Sequence, residues 1–170
     1  MEDSINIFWF RRDLRLTDNT ALYHALQNNL PVLPIFIFDT EILNKLENKA
    51  DPRVNFIYQS LLEIQNELVK IGTTLLVLNS KPTKAFEYLL SKYKIENVFT
   101  NHDYEPYAKQ RDEEISALLK RNGVKLITYK DQVIFEKNEI VKNDGNPYTV
   151  FTPYSRKWKA AFNETNIQSF

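Results

Sequence analysis

The chain of 170 residues contains no cysteine and only two histidines, His24 and His102, which lie far apart in the sequence. Disulfide bonds and thiolate metal sites are therefore excluded, and a histidine-based metal centre is not expected. Acidic and basic residues number 22 each, so the net charge is zero and no strong basic field can hold nucleic acid by phosphate neutralisation alone. These absences argue against a metalloenzyme and against a protein that binds nucleic acid by charge.

Long hydrophobic runs are also missing. No apolar stretch approaches the ~20 residues that a membrane-spanning helix needs, and the N-terminus has no basic segment followed by an apolar one. We therefore expect a soluble, cytoplasmic protein without membrane contact. Hydrophobic residues make up 43% of the chain and aromatic residues 13%, which is enough for a folded core.

Two common nucleotide-binding signatures are absent as well. The chain has only three glycines, and neither G-x-G-x-x-G nor G-x-x-x-x-G-K-[ST] occurs. Arginine and aspartate follow the first apolar run where a dinucleotide-binding loop would have glycine. Ordinary NAD binding and P-loop phosphoryl transfer are therefore not expected, and no serine lies in a context that would activate it as a nucleophile.

Five short runs rich in Ile, Val, Leu and Phe predict β-strands, at residues 5–10, 32–38, 74–78, 97–100 and 124–129. The first three are nearly continuous in apolar residues, which is typical of parallel strands covered on both faces. Helical spacing separates the runs, most clearly at 53–71, where Asp51-Pro52 provides a capping carboxylate and a proline suited to the first turn. This alternation predicts an α/β fold, a Rossmann-like three-layer sandwich with a five-stranded parallel sheet.

Charged residues cluster where the predicted strands end. Arg11, Arg12 and Asp13 follow the first strand, Asp39 ends the second, and the segment 101–106 continues from the fourth. Since ligands bind beyond the carboxyl ends of the strands in an open parallel sheet, these groups are expected to surround a crevice.

Structural roles are an alternative for each of these groups. Arg11, Asp13 and Arg15 could form an internal network of ion pairs, and Asp103 and Glu105 could cap the helix that follows them. Asp18 is a candidate cap of the first helix, whereas Gly72 and Gly123 are candidate left-handed helix ends. His24 is expected to be structural and His102 to lie at the surface or in a hinge.

Five segments together resemble the DNA photolyase and cryptochrome family. They occur in the family's order and spacing, and their pattern is most similar to class I cyclobutane-dimer photolyases. The segments are FWFRRDLRLTDNTAL (8–22), IFIFDTEIL (35–43), DPRVNFIYQSLLEIQNEL (51–68), NHDYEPYAKQRD (101–112) and VFTPYSRKW (150–158).

The resemblance implies a light-harvesting antenna domain over residues 1–130. Residues 131–170 would begin the connector to a helical, FAD-binding C-terminal domain that lies outside this sequence, and Trp158, on a short helix at 154–162, would pack against that domain. The whole protein would bind UV-damaged DNA through the missing domain and repair pyrimidine dimers by light-driven electron transfer from reduced FAD. The fragment alone is expected to be inactive and monomeric.

Three other interpretations remain open at this point. The first is the N-terminal domain of a cryptochrome photoreceptor without repair activity. The second is a self-standing nucleotide-binding module of the same fold, and the third is a domain without ligand in which the charged loops only brace the sheet.

The resemblance also implies a chromophore and its contacts. Folate-binding members carry an Asn-Glu pair at positions that fall on Tyr107 and Ala108 here, so a deazaflavin or a flavin is favoured over a folate, and an empty crevice remains an alternative. No catalytic residue is expected, because excitation transfer requires only that the chromophore be held rigidly. The expected contacts are Phe38, Arg53, Asp103 and Glu105, with Arg11 and Arg111 nearby.

Overall fold

A computed structural model describes residues 4–48, 50–163 and 169–170. Its centre is a parallel sheet in the order β3-β2-β1-β4-β5. The strands are β1 (Ile5–Phe10), β2 (Val32–Asp39), β3 (Leu76–Ser80), β4 (Ile95–Asn101) and β5 (Lys125–Tyr129). The helices are α1 (Thr20–Leu26), α2 (Thr40–Leu43), α3 (Pro52–Lys70), α4 (Pro82–Lys92), α5 (Pro106–Arg121) and α6 (Phe151–Ala161).

Alternate residues of each central strand enter different hydrophobic cores, which explains the continuous apolar runs. Ile7 and Trp9 of β1 pack with α4 and α5 on one face of the sheet. Phe8 and Phe10 pack with α1 and α3 on the other face. Because both faces are covered, the central strands lack the polar alternation of a solvent-exposed sheet. The predicted three-layer sandwich is confirmed.

Local signals located most of the helix ends. Asp51 caps α3 by accepting a hydrogen bond of 2.9 Å from the backbone N–H of Arg53. Gly72 and Gly123 follow α3 and α5 with φ angles of 78° and 75°, the left-handed conformation that glycine adopts without steric cost. These features follow directly from the sequence.

Two helix caps and one helix start differ from expectation. Asn19, not Asp18, caps α1 by accepting from the N–H of Leu22. Glu105 occupies the cap position of α5 but makes no capping bond with its side chain, so the capping explanation for this carboxylate is wrong. The helix expected at 154–162 begins at Phe151 instead, with Val150 before its first turn.

Residues 131–150 contain neither helix nor strand, yet side chains tie part of this segment to the sandwich. Asp131, with a side chain only 2% exposed, accepts bonds from the backbone N–H and the hydroxyl of Thr20 and from the Arg15 guanidinium. Ile140 is buried. Within the described ranges, no helix is long and apolar enough to cross a membrane, and no three His, Asp or Glu side chains are grouped to hold a metal ion.

Candidate functional site

A cavity of about 340 Å³ opens beyond the carboxyl ends of β1 and β2, beside the loop that follows β4. Because β2 and β4 flank β1 on opposite sides, this is the point where the strand order reverses, and ligands bind at such points in open α/β sheets. The volume is in the usual range for a small-molecule pocket, roughly 300–1,000 Å³.

All six residues expected at the chromophore line this single cavity. The fold gathers them from three regions of the chain: the end of β1, the end of β2 with the start of α3, and the loop after β4 with the first turns of α5. They are Arg11, Phe38, Arg53, Asp103, Glu105 and Arg111.

Two arginines and an aspartate brace one side of the cavity around Trp9. Arg11 donates to both carboxylate oxygens of Asp112 at 2.7 Å and also to the carbonyl of Asn101. Arg111 donates to Asp112 Oδ1, from Nε at 3.1 Å and from Nη2 at 3.0 Å. Both guanidinium carbons lie over the Trp9 ring, at 5.2 and 5.0 Å from its centre, so this cluster is rigid and most of its donors are engaged.

Asp103 differs from its neighbours because its charge is incompletely paired. Its side chain is only 8% exposed, and the nearest cationic atoms are Arg12 Nη1 at 3.6 Å and Arg111 Nη2 at 3.8 Å. Oδ1 is buried and has no hydrogen-bond partner among the described residues. A buried carboxylate oxygen in this state is under-solvated, and an N–H or O–H group of a ligand in the cavity would satisfy it.

Arg53 lies at the mouth of the cavity and is held by the cap of its own helix. Its Nε and Nη2 atoms donate to the two oxygens of Asp51 at 2.9 and 2.6 Å, while 76% of its side chain remains exposed. The side-chain and backbone hydrogen bonds from Arg53 lower the pKa of Asp51 from 3.8 to about 2. The guanidinium is thus held beside the cavity while most of its surface remains accessible.

This pairing predicts a titration that can be measured directly. The Asp51 carboxyl should titrate near pH 2, and Arg53→Ala should raise its pKa toward 3.8 without reaching it, because the backbone N–H at position 53 remains. Folding lowers this pKa, so the carboxylate stabilises the folded state at any pH above its pKa in the unfolded chain. This stabilisation is lost as the pH falls toward 2. Carboxyl ¹³C NMR against pH checks both values, and an unchanged Asp51 midpoint in Arg53→Ala would contradict the pairing.

The opposite side of the cavity is apolar and includes an element that the sequence analysis missed. Phe38 packs edge-on against Phe36, with ring centres 5.0 Å apart. The short helix α2 and the turn after it add further apolar side chains, which had not been assigned to the site. They are Ile42, Leu43 and Leu46, joined by Val54 and Ile57 of α3. The i, i+1, i+4 spacing after a capping aspartate was the available signal.

The charged loop after β1 is braced, but not by the expected network. Arg11 pairs with Asp112 and Arg15 with Asp131, so the three charged residues of the loop are not joined side chain to side chain. Asp13 instead accepts from the backbone N–H of Arg11 and from the side-chain amide of Asn101. The loop is therefore attached to α5, to β4 and to the segment after β5, and its charge is largely architectural.

The two positions of the folate-type pair hold no free polar group. The Tyr107 hydroxyl donates to Asp39 Oδ2 at 2.5 Å, and burial together with that carboxylate raises the pKa of Tyr107 well above its ordinary value. Ala108 is buried at 3% exposure. Neither residue offers an amide or a carboxylate to a ligand.

The fold is a doubly wound α/β domain with a cavity of small-molecule size at the switch point of its sheet. The family model described as DNA photolyase matches residues 6–169. The chain belongs to the DNA photolyase family.

Individual relatives agree with this membership. A deoxyribodipyrimidine photo-lyase from Synechococcus is 34% identical over 91% of this chain, which corresponds to 32% of that protein. A class III photolyase from Agrobacterium tumefaciens has a similar structure with a TM-score of 0.83, at 25% identity, over 95% of this chain and 33% of its own. The archaeal photolyase of Sulfolobus tokodaii, solved with two FAD molecules and the implication of a novel light-harvesting cofactor, has a TM-score of 0.70 at 35% identity, over 81% of this chain and 32% of its own. The chain therefore spans about a third of the length of these proteins.

Proposed function

We propose that the chain is the antenna-binding part of a deoxyribodipyrimidine photo-lyase, a DNA-repair enzyme. The observation that carries the proposal is the cavity of about 340 Å³ at the switch point, with the buried, incompletely paired Asp103 carboxylate in its wall. Family membership supports the assignment of the whole protein, which would repair UV-damaged DNA by light-driven electron transfer from reduced FAD. The FAD and the damaged DNA would be bound outside the residues present here.

A deazaflavin or a flavin fits the cavity better than a folate. The apolar side formed by Phe38 and the residues of α2 suits the flat faces of a fused-ring chromophore. Asp103 would accept a hydrogen bond from a ring N–H, and Arg53 would stack on the ring or donate to a ring carbonyl. The Tyr107 hydroxyl already donates to Asp39, so it cannot replace the side-chain amide that folate-binding members carry at this position. When bound, the chromophore would absorb light and pass its excitation to the FAD.

The residues of this chain would therefore act by holding and orienting the chromophore, not by chemistry. The bracing of Arg11 and Arg111 around Trp9 makes one wall rigid, and the apolar wall excludes water from the ring. Rigidity matters because excitation transfer depends on the relative orientation of donor and acceptor. No proton transfer or nucleophile is needed from any of these side chains.

Residues 131–170 would connect the antenna domain to the remainder of a monomeric, cytoplasmic protein. Helix α6 has no buried residue, Phe151 is 76% exposed, and Trp158 is only partly buried against Phe135 and Phe162. An exposed aromatic helix of this kind suits packing against another domain. A fully buried Trp158 would have argued against that role.

An absorption titration tests the proposal. We expect FMN or an oxidised deazaflavin, added to the purified chain, to give a saturable, red-shifted visible spectrum, and a reduced folate to give none. Arg53→Ala should weaken the binding about tenfold, because one charge-assisted contact is lost. Arg121→Ala, which removes an exposed arginine at the far end of α5, is the matched control and should leave the affinity unchanged.

Each other outcome has a defined meaning. Binding of the folate alone would overturn the choice of chromophore, and binding of none of the three would favour a cavity that only braces the sheet. The repair function belongs to the whole protein and requires its own assay, light-dependent loss of pyrimidine dimers from DNA. A flavin-loaded full-length protein without that activity would support the cryptochrome alternative.

A further inference from the structure

A cluster of polar side chains contacts the loop that carries Asp103 and Glu105. The cluster itself does not line the cavity. Its centre is Glu136, whose side chain is 12% exposed. The Tyr104 hydroxyl donates to Glu136 Oε2 at 2.6 Å, and His102 Nδ1 lies 2.8 Å from the same oxygen and 3.0 Å from Oε1. One carboxylate therefore holds both residues that flank Asp103 in the chain.

Hydrogen bonds join every side chain of the cluster to a neighbour. His102 Nδ1 faces the carboxylate and donates to it, and Nε2 lies 2.9 Å from the Thr128 hydroxyl. Burial favours the neutral form of Glu136, but the hydrogen bonds from Tyr104 and His102 outweigh it, so the pKa of Glu136 lies below its ordinary value. Burial and the neighbouring carboxylate raise the pKa of Tyr104, which keeps its hydroxyl protonated as a donor.

Glu136 is itself held in place from the other side. Its backbone N–H donates to Glu139 Oε2 at 2.5 Å, and Glu139 in turn accepts from Lys130 Nζ at 2.9 Å. The main chain of the loop is fixed too, since the His102 N–H donates to the Tyr129 carbonyl at 2.7 Å and its carbonyl accepts from Gln132 at 3.2 Å. The orientation of the loop thus depends on the end of the last strand and on the residues that follow it.

We propose that Glu136 is a positioning residue for the chromophore cavity. Its hydrogen bonds to His102 and Tyr104 fix the chain on both sides of Asp103 and so orient the Asp103 carboxylate toward the ligand. The part of this inference that concerns the ligand rests on the proposed function. The part that concerns the order of the loop does not. Glu136 belongs to the segment that follows the sheet, so this segment is part of the binding site although it touches no ligand. A site group acts at full strength only when the residues behind it lock its orientation.

The experiment compares Glu136→Gln and Tyr104→Phe with the wild type and with Glu113→Gln, the same charge change on the exposed face of α5. The first measurement needs no ligand: ¹⁵N relaxation of the amides at 103–105, since the His102 amide stays bonded to the Tyr129 carbonyl in every variant. We expect order parameters of about 0.85 in the wild type and in Glu113→Gln, and below about 0.6 in Glu136→Gln. Tyr104→Phe keeps the aromatic ring and should give a smaller decrease.

The second measurement uses FMN or deazaflavin, whichever the wild type binds. Glu136→Gln should raise the Kd about tenfold and change the visible circular dichroism of the bound chromophore, while Glu113→Gln changes neither. Unchanged order parameters would overturn the inference, and so would a mobile loop with unchanged affinity and dichroism. If the wild type binds no chromophore, the proposed function fails, and the relaxation data alone decide whether Glu136 fixes the loop. Tyr104→Phe serves the same comparisons if Glu136→Gln does not fold.

Discussion

Replacing Asp13 by alanine should lower the free energy of unfolding by about 4 kcal/mol, because three hydrogen bonds to a buried carboxylate would be lost at once. Asp13 is 5% exposed and lies in the loop after β1. It accepts from the Arg11 N–H at 2.9 Å, from the Asn101 side-chain amide, and from the Asn19 side-chain amide at 3.4 Å. Removing the carboxylate leaves the Arg11 N–H without this acceptor, and the two amides keep only the weaker, uncharged acceptors that they also contact.

Asp13→Asn should be nearly as damaging, although it is almost identical in shape. The Asn101 amide cannot turn to accept from it, since Asn101 Oδ1 already accepts from the N–H of Ala21 at 3.0 Å. The new amide would therefore place a donor against a donor. Urea unfolding measures the effect, with Glu113→Ala as the exposed control and equal m-values as the condition for comparison. A loss below about 1 kcal/mol in Asp13→Ala would show that the loop is not anchored through this residue.

Replacing Asp103 by alanine should weaken flavin or deazaflavin binding about 100-fold, because the ligand would lose a charge-assisted hydrogen bond in a buried site. The stability of the ligand-free protein should change by no more than about 0.5 kcal/mol. The reason is the pairing of this carboxylate, whose cationic neighbours lie at 3.6 and 3.8 Å and whose Oδ1 has no hydrogen-bond partner among the described residues. The ligand-free protein would therefore lose little stability, whereas the bound chromophore would lose its hydrogen bond to Asp103.

The contrast with Glu105 provides a control within the same loop. Glu105 is 66% exposed and pairs with Arg12 at 2.9 Å, so Glu105→Ala should weaken binding by less than about tenfold. Affinities come from the absorption titration and stabilities from urea unfolding. If Asp103→Ala destabilises the ligand-free protein strongly and leaves the affinity unchanged, Asp103 is a structural residue and the proposed contact is wrong.

Much of the fold was predictable because its signals are short in range. The five strands were located to within two residues at every end, since each is a run of apolar side chains that must be covered on both faces. The start of α3 at Pro52 and the glycines after α3 and α5 depend only on the neighbouring few residues. The location of the cavity was predictable as well, because parallel strands bring their carboxyl ends to one edge.

The resemblance to a family selected six cavity residues, and all six line the cavity, but it did not specify their partners. Arg11 pairs with Asp112, a residue 101 positions away, and not with the aspartate in its own loop. Helix α2 and the Asn19 cap were missed, because a four-residue helix has little periodicity and two adjacent residues can both cap.

The sequence by itself determined the layers, the sheet and the edge at which the cavity opens, since hydrophobic period and helix ends are local properties of the chain. Only the tertiary structure decided which charges are used for bracing and which face the cavity. Asp13 and Asp103 are both aspartates that follow a strand, yet one accepts three hydrogen bonds and the other has an oxygen with none. That difference depends on groups nearly a hundred residues apart, which meet only when the sheet has formed.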